Sequence, residues 1–175
     1  MSDFVSAVEL NDLLTGGAPV RVIDVRWRLD RPDAGHDDYL SGHIPGAVFA
    51  ALDTELATHG EAAEGRHPLP STATLQDAAR RWGVRSGDTV VAYDDFKGIA
   101  AARAWWLLRQ AGVDVRVLDG GIRAWRAEGF DIATDDVSPE SGDVVLDPIG
   151  DDALSIDEAA AFPASGVLID ARAAD

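Results

Sequence analysis

Three short β-branched runs set the terms for this chain: Val20-Arg21-Val22-Ile23 ending at Asp24, Thr89-Val90-Val91-Ala92-Tyr93, and Val113 to Leu118. Runs that are apolar on consecutive positions fit strands buried on both faces, which is the environment of a parallel sheet covered by crossover helices. Helical periodicity lies between them. Ser6 to Thr15 carries Val8, Leu10, Leu13 and Leu14, with Ser6 as N-cap, Glu9 three positions on, and Gly16-Gly17 as a stop. Ser71 to Trp82 puts Leu75, Ala78, Ala79 and Trp82 on one face. Ile99 to Ala111 is the clearest helix, and Ile122 to Glu128 is a short one stopped by Gly129. Consecutive helical residues diverge, so of Trp105 and Trp106 one is expected in the core and the other at an edge. Ala47 to Ala50 is a further strand, while the stretch after the first strand to about Tyr39 and the excursion from Asp53 to Pro70 read as loops. The fold class is α/β, with ligand-facing loops at the carboxyl ends of the strands.

A sheet of this kind needs a core, and 175 residues that are 46% apolar supply one domain with a few tens of residues left over. Residues 131–152 turn acidic and rich in Pro, Gly and Ser, as an interdomain linker would. An internal repeat follows. Ser155-Ile156-Asp157-Glu158 echoes Ser6-Ala7-Val8-Glu9, and Val167-Leu168-Ile169-Asp170-Ala171-Arg172 echoes Arg21-Val22-Ile23-Asp24-Val25-Arg26, in the same order. The expected layout is a domain over 1–130, a linker over 131–152, and the truncated start of a second copy over 153–175.

Thirty-one acidic residues against fifteen basic ones give a net charge of -16, which repels a phosphate backbone and argues against nucleic acid as a partner. Lys97 is the only lysine, so no polybasic patch exists to hold an anionic membrane. Apolar runs fall far short of the roughly 20 residues of a spanning helix, and Met1-Ser2-Asp3-Phe4 does not open a signal peptide. A cytoplasmic protein is expected. Cysteine is absent, which removes disulfides, thiolate metal sites and thiol nucleophiles together.

Asp24, Asp94 and Asp119 fall at carboxyl ends of expected strands, where a Mg2+-dependent phosphotransfer site could be assembled. Against that reading, Asp94-Asp95-Phe96-Lys97 has no Gly-rich phosphate cradle, and strand-end aspartates commonly cap turns and helices. His43, between Gly42 and Ile44-Pro45, is expected to hydrogen-bond locally, with Asp24 or Arg26 as partner, rather than act as a base. His36, His59 and His67 lie in polar stretches without ligand spacing, so no metal site and no cofactor is expected. Gly120-Gly121 suits a tight turn with positive φ.

Three segments together resemble the rhodanese homology domain: Ile23-Asp24-Val25-Arg26 followed by Tyr39-Leu40-Ser41-Gly42-His43-Ile44-Pro45-Gly46-Ala47; a strand ending in Tyr93 with a tight loop and a helix; and Leu118-Asp119-Gly120-Gly121-Ile122-Arg123-Ala124-Trp125. The resemblance covers roughly residues 5 to 130 and implies a rhodanese-like three-layer domain, a small parallel sheet flanked by helices. The chemistry it implies is transfer of sulfane sulfur from thiosulfate or 3-mercaptopyruvate to cyanide or a thiol, with a loop Cys carrying the sulfur as a persulfide. Here the position after Tyr93 holds Asp94 in the loop Asp94-Asp95-Phe96-Lys97-Gly98-Ile99. In tandem members the first domain commonly has Asp there, so the resemblance implies a non-catalytic N-terminal domain whose partner is a Cys-bearing second rhodanese domain of the same protein, with a small sulfur-containing substrate. Trp27, at a place that tends to face the partner domain, and Phe96 are then candidates for the interdomain cleft. Arg103 and Lys97 are candidates for biasing the loop toward anions, with charge pairing to Asp94 or Asp95 the favoured alternative. A stand-alone binding or regulatory module and an Asp-based phosphotransfer enzyme stand as the competing readings.

Overall fold

The computed structural model describes residues 2–29, 31, 34–61, 64–150 and 153–169. In chain order its elements are β1 (Phe4–Val5), α1 (Ala7–Thr15), β2 (Val20–Asp24), α2 (Ala34–Ser41), β3 (Val48–Phe49), α3 (Leu52–Glu55), α4 (Thr72–Arg81), β4 (Thr89–Tyr93), α5 (Ile99–Gln110), β5 (Asp114–Leu118), α6 (Gly121–Ala127) and α7 (Ile156–Ala161). The strands form one sheet in the order β1-β5-β4-β2-β3, and every pairing is parallel.

Alternation along each strand divides the core into two layers. Val22, Val91 and Tyr93 pack with Leu10, Ile122 and Trp125 on one face. Ile23, Val90 and Ala92 pack with Leu75, Trp82, Leu107 and Leu108 on the other. The layers are therefore α1 and α6, the sheet, and α4 and α5, which is the rhodanese-like α/β arrangement the sequence implied. Register Asp24↔Tyr93 between β2 and β4 brings the carboxyl ends of the strands to one rim.

That rim is held by a buried charge network. Arg26 donates from Nε to Asp24 Oδ1 at 3.0 Å, and from Nη2 to Asp24 Oδ2 at 2.6 Å and to the Gly42 carbonyl at 3.0 Å. The Tyr93 hydroxyl donates to Asp24 Oδ2 at 2.6 Å and accepts from Ile44 N at 3.2 Å. Burial and the neighbouring Asp24 charge push the Tyr93 phenol well above its ordinary value, so it stays a donor. Burial works against the Arg26 charge too, but its bond to Asp24 together with the charges of Asp24, Tyr93 and Asp95 outweighs that and raises it. The network joins β2, β4 and the turn before β3.

Several expectations are corrected. The stretch after β2 is not all loop: α2 occupies Ala34–Ser41, with Ala34, Gly35 and Tyr39 buried. A Cβ on Gly35 would run into the Arg26 carbonyl, so glycine is what lets this helix approach the strand end. The excursion from Asp53 to Pro70 begins inside α3, and Leu56 and Ala57 behind it are buried. Neither tryptophan of the pair enters the core fully: Trp105 and Trp106 are both half-buried against it. His43 pairs with neither Asp24 nor Arg26, which satisfy each other; its Nδ1 lies 2.9 Å from the Tyr39 carbonyl.

Of the expected linker over 131–152, the described residues 131–150 run as a strap along the domain. Val144 and Leu146 are buried in the core layer beneath α4 and α5. Leu146 N donates to Gln76 Oε1 at 3.0 Å, Arg80 Nε to the Val144 carbonyl at 2.9 Å, and Ile149 N to Thr72 Oγ1 at 3.1 Å. Beyond it, Ser155 and Glu158 form the same reciprocal capping box as Ser6 and Glu9. Of the expected first strand of the second copy, Val167, Leu168 and Ile169 are exposed and outside any strand, and 170–175 lie outside the described residues.

Leu146 tests whether the strap belongs to the folding unit. Leu146→Ala is expected to lower unfolding stability by about 2–3 kcal/mol, the cost of a cavity in a filled core. Urea unfolding that leaves the midpoint unchanged would show the strap to be peripheral.

Candidate functional site

Five residues carry the chain from the end of β4 into α5, and they turn back on themselves around one carboxylate. Asp94 Oδ1 accepts from Phe96 N and Gly98 N, each at 2.9 Å. Asp94 Oδ2 accepts from Ala100 N at 2.9 Å and Ala101 N at 3.1 Å. Lys97 (φ 59) and Gly98 (φ 78) adopt left-handed backbone to point these donors inward, forming an anion nest at the start of a twelve-residue helix. Asp94 is 4% exposed, so the nest is filled from within. Its carbonyl accepts from Ile122 N at 3.1 Å, which seats α6 on the loop. Gly121 (φ 57) is required there, because a Cβ would run into the Asp94 carbonyl. Gly120 shares the left-handed turn, as its sequence context implied.

Charge pairing at this rim differs from expectation. Asp95 pairs with Arg28, whose Nη1 and Nη2 donate at 2.9 and 2.6 Å, and Arg28 Nη2 also reaches Asp38 Oδ2 at 2.6 Å. Burial raises the Asp95 carboxyl, but the Arg28 hydrogen bond and charge outweigh it and hold the group below its ordinary value. Arg103 pairs with neither Asp94 nor Asp95. It donates to the carbonyls of Leu56 at 2.7 Å, His67 at 2.9 Å and Pro68 at 3.2 Å, and its burial weakens its charged form. Arg103 is therefore a brace between α5 and the segment after α3. Lys97 makes no ion pair among the described residues.

A cleft of about 710 Å³ opens beside the loop, walled by Trp27, Leu52, His67, Phe96, Ile99 and Arg103. Phe96 and Ile99 are 59% and 61% exposed, unusual for large apolar side chains next to one another in a folded domain. Trp27 Nε1 donates to Asp53 Oδ2 at 2.8 Å, and His67 Nδ1 lies 3.5 Å from Asp53 Oδ1. The Trp27 and His67 rings meet edge to face, with centroids 5.3 Å apart. Burial lowers the His67 imidazole, with Arg103 and Arg66 adding to it and Asp53 opposing. An imidazole oriented by a carboxylate can exchange a proton at its other nitrogen. Sequence reasoning passed over Asp53, His67 and Arg28, since their meeting depends on how three separate connections fold over one rim.

Asp24, Asp94 and Asp119 do not build a metal site. Asp24 is buried against Arg26 and Tyr93, both Asp94 oxygens are taken by backbone donors, and Asp119 is exposed. No group of three metal-ligating side chains converges among the described residues. None of the helices described there is long and apolar enough to cross a membrane.

Comparison with known proteins agrees with this geometry. The chain is 52% identical over 143 residues to the "Putative thiosulfate sulfurtransferase SseB" of Mycobacterium tuberculosis, covering 81% of this chain and 50% of that protein. It is 42% identical over 159 residues to the "Probable 3-mercaptopyruvate sulfurtransferase" of Pseudomonas aeruginosa, covering 87% and 55%. Among solved structures, 3-mercaptopyruvate sulfurtransferase from Leishmania major superposes with a TM-score of 0.80 at 28% identity, over 89% of this chain and 43% of that one. SseA from Escherichia coli, a 3-mercaptopyruvate sulfurtransferase, superposes with a TM-score of 0.79 at 29% identity, over 94% and 63%. The chain spans about half the length of the curated relatives it matches. The model of the rhodanese-like domain matches residues 6–128, from the cap of α1 to the end of α6, and with the parallel sheet and the strand-to-helix nest this chain belongs to the rhodanese-like domain family.

Proposed function

We propose that this chain supplies the non-catalytic first repeat of a two-repeat sulfurtransferase, with 131–152 leading to a second repeat that opens within 153–175. The observation that carries the reading is Asp94 in the nest. A nest of four N–H groups at a helix start would stabilise a thiolate and, once sulfur is transferred, a persulfide. A carboxylate takes the same hydrogen bonds and cannot carry sulfane sulfur, and with no cysteine the chain has no thiol to do so.

The reaction belongs to the whole two-repeat protein. A thiolate on the second repeat attacks the outer sulfur of thiosulfate, the S–S bond breaks and sulfite leaves; cyanide or a thiol then takes the sulfur and the thiolate is restored. With 3-mercaptopyruvate as donor, the thiolate bonds to its sulfur, the C–S bond breaks instead of an S–S bond, and pyruvate leaves as its enolate and takes a proton at carbon. The first repeat contributes a wall. Its exposed Phe96 and Ile99, with Trp27 behind them, offer an apolar surface for the second repeat to close upon, and His67, aligned by Asp53, faces the same cleft. The exposed apolar rim without a nucleophile would also serve a stand-alone binding module. The same surface gives no support to Asp-based phosphotransfer, because Asp94, on which that reading centres, and Asp24 are already bonded.

Thiosulfate and cyanide turnover by this chain and by the protein extended through the second repeat separates the readings. Activity is expected only in the extended protein; turnover by the cysteine-free chain would overturn the assignment, and inactivity of both would leave the binding module as the better account. In the extended protein, Trp27→Ala and Phe96→Ala are each expected to lower kcat/KM about tenfold, the effect of removing an aromatic anchor from a closed interface. The thermal midpoint of this chain should barely move in Phe96→Ala, whose ring is exposed, and fall in Trp27→Ala, which also loses the Asp53 bond and its packing on the core; unchanged kinetics in both variants would remove the cleft from the mechanism.

A further inference from the structure

One face of one helix holds the strap in place. Thr72, Gln76 and Arg80 follow one another at intervals of four on α4, so their side chains stand on one face. All three bond strap backbone: Arg80 Nε donates to the Val144 carbonyl at 2.9 Å, Gln76 Oε1 accepts from Leu146 N at 3.0 Å, and Thr72 Oγ1 accepts from Ile149 N at 3.1 Å. Val145 is exposed between the buried Val144 and Leu146, the alternation of an extended chain. Bonds to main-chain groups at three successive points fix the register of strap on helix.

The ends of α4 and α5 add to the grip. Gly142 N donates to the Arg80 carbonyl at 2.8 Å, and a Cβ on Gly142 would run into the Val84 carbonyl. Asp147 N donates to the carbonyl of Ala111, the cap of α5, at 3.1 Å. The run finishes at Gly150, in contact with the Leu69 side chain. Leu69 is two residues from His67 on the cleft wall, where Arg103 holds the carbonyls of His67 and Pro68. Helix α4 thus brings the strap to the segment that walls the cleft. Beyond it, α7 buries no residue, and Leu154, Ile156 and Phe162 are exposed.

We infer that Thr72, Gln76 and Arg80 are positioning residues for the second repeat: by fixing the strap in register they start that repeat beside the cleft, on a short connection. The inference rests on the two-repeat reading. Four residues separate Gly150 from the Ser155 cap, so the cap lies within about 18 Å of Gly150 even at full stretch. A strap freed as far as Asp143 lengthens that connection from four residues to twelve. Effective concentration falls as about the −3/2 power of length, so closure on the cleft then weakens about fivefold.

In this chain, amide hydrogen exchange at Leu146 and Ile149 reports the register directly. Both amides should be protected in the wild type and lose protection in Thr72→Val/Gln76→Leu, while Val91 in β4 keeps its own. Thr72→Ser/Gln76→Glu leaves an acceptor at each position and should retain the protection. Unprotected amides in the wild type, or protection that survives Thr72→Val/Gln76→Leu, would overturn the inference whatever the second repeat does. In the protein extended through the second repeat, kcat/KM with thiosulfate and cyanide should fall about fivefold in Thr72→Val/Gln76→Leu. Inserting about eight Gly and Ser residues after Gly150, which leaves the strap untouched, should cost the same. Both changes act through one length, so together they should cost about tenfold, where independent effects would multiply to about twenty-fivefold. An insertion without effect, or a fully multiplicative loss, would show that the strap does not position the second repeat. Inactivity of the unaltered extended protein would sink the two-repeat reading, and positioning with it, while the amide result would still stand for the strap.

Discussion

Four backbone N–H groups converging on one carboxylate decide what this domain can and cannot do. A strand that turns abruptly into a helix leaves unpaired amide donors at the helix start, and burying them unsatisfied would be costly. Asp94 answers that demand through both oxygens, with Phe96, Gly98, Ala100 and Ala101 as donors. The same residue offers its carbonyl to Ile122, so α6 is seated by the loop that the carboxylate organises. The nest is thus filled from within by a side chain of the loop itself.

The cleft lies beside that filled nest. Asp94 is turned inward while Phe96 and Ile99 are exposed, and Arg28 joins Asp95 to Asp38 of α2 at the cleft wall. Arg103 uses its guanidinium on three carbonyls and fixes the far wall with His67 upon it. A chain of net charge -16 therefore presents an apolar cleft with arginines Arg28, Arg103 and Arg123 at its margin, a surface unlike the rest of the molecule. Beyond the strap, the capping box at Ser155 repeats the one at Ser6.

How much of this was legible in sequence depends on whether the signal was local. The longer strands and α1, α4, α5 and α6 write themselves in apolar periodicity and caps, and Asp94 in place of Cys is read directly once the flanking motifs are recognised. β1 and α3 are too short to show a period; β1 exists because Phe4 and Val5 pair with Val117 and Leu118, far along the chain. α2 has few apolar positions and is held by one tyrosine and a glycine contact, which composition reads as loop. The strap looked like a linker because its burial rests on two residues, Val144 and Leu146, set among acids. The His67–Asp53 and Arg28–Asp95 pairs join segments that only the sheet order brings together, so no spacing rule could have found them.

The claim on which the account turns is that the nest is closed by its own carboxylate. Backbone amide shifts of Phe96, Gly98, Ala100 and Ala101, followed by NMR as thiosulfate is added, report on it directly. The four amides should be insensitive in the wild-type chain and respond in Asp94→Ala, where the nest is emptied. Saturable shifts at those four positions in the wild type would contradict the account, because they would show a site open to the anion despite Asp94.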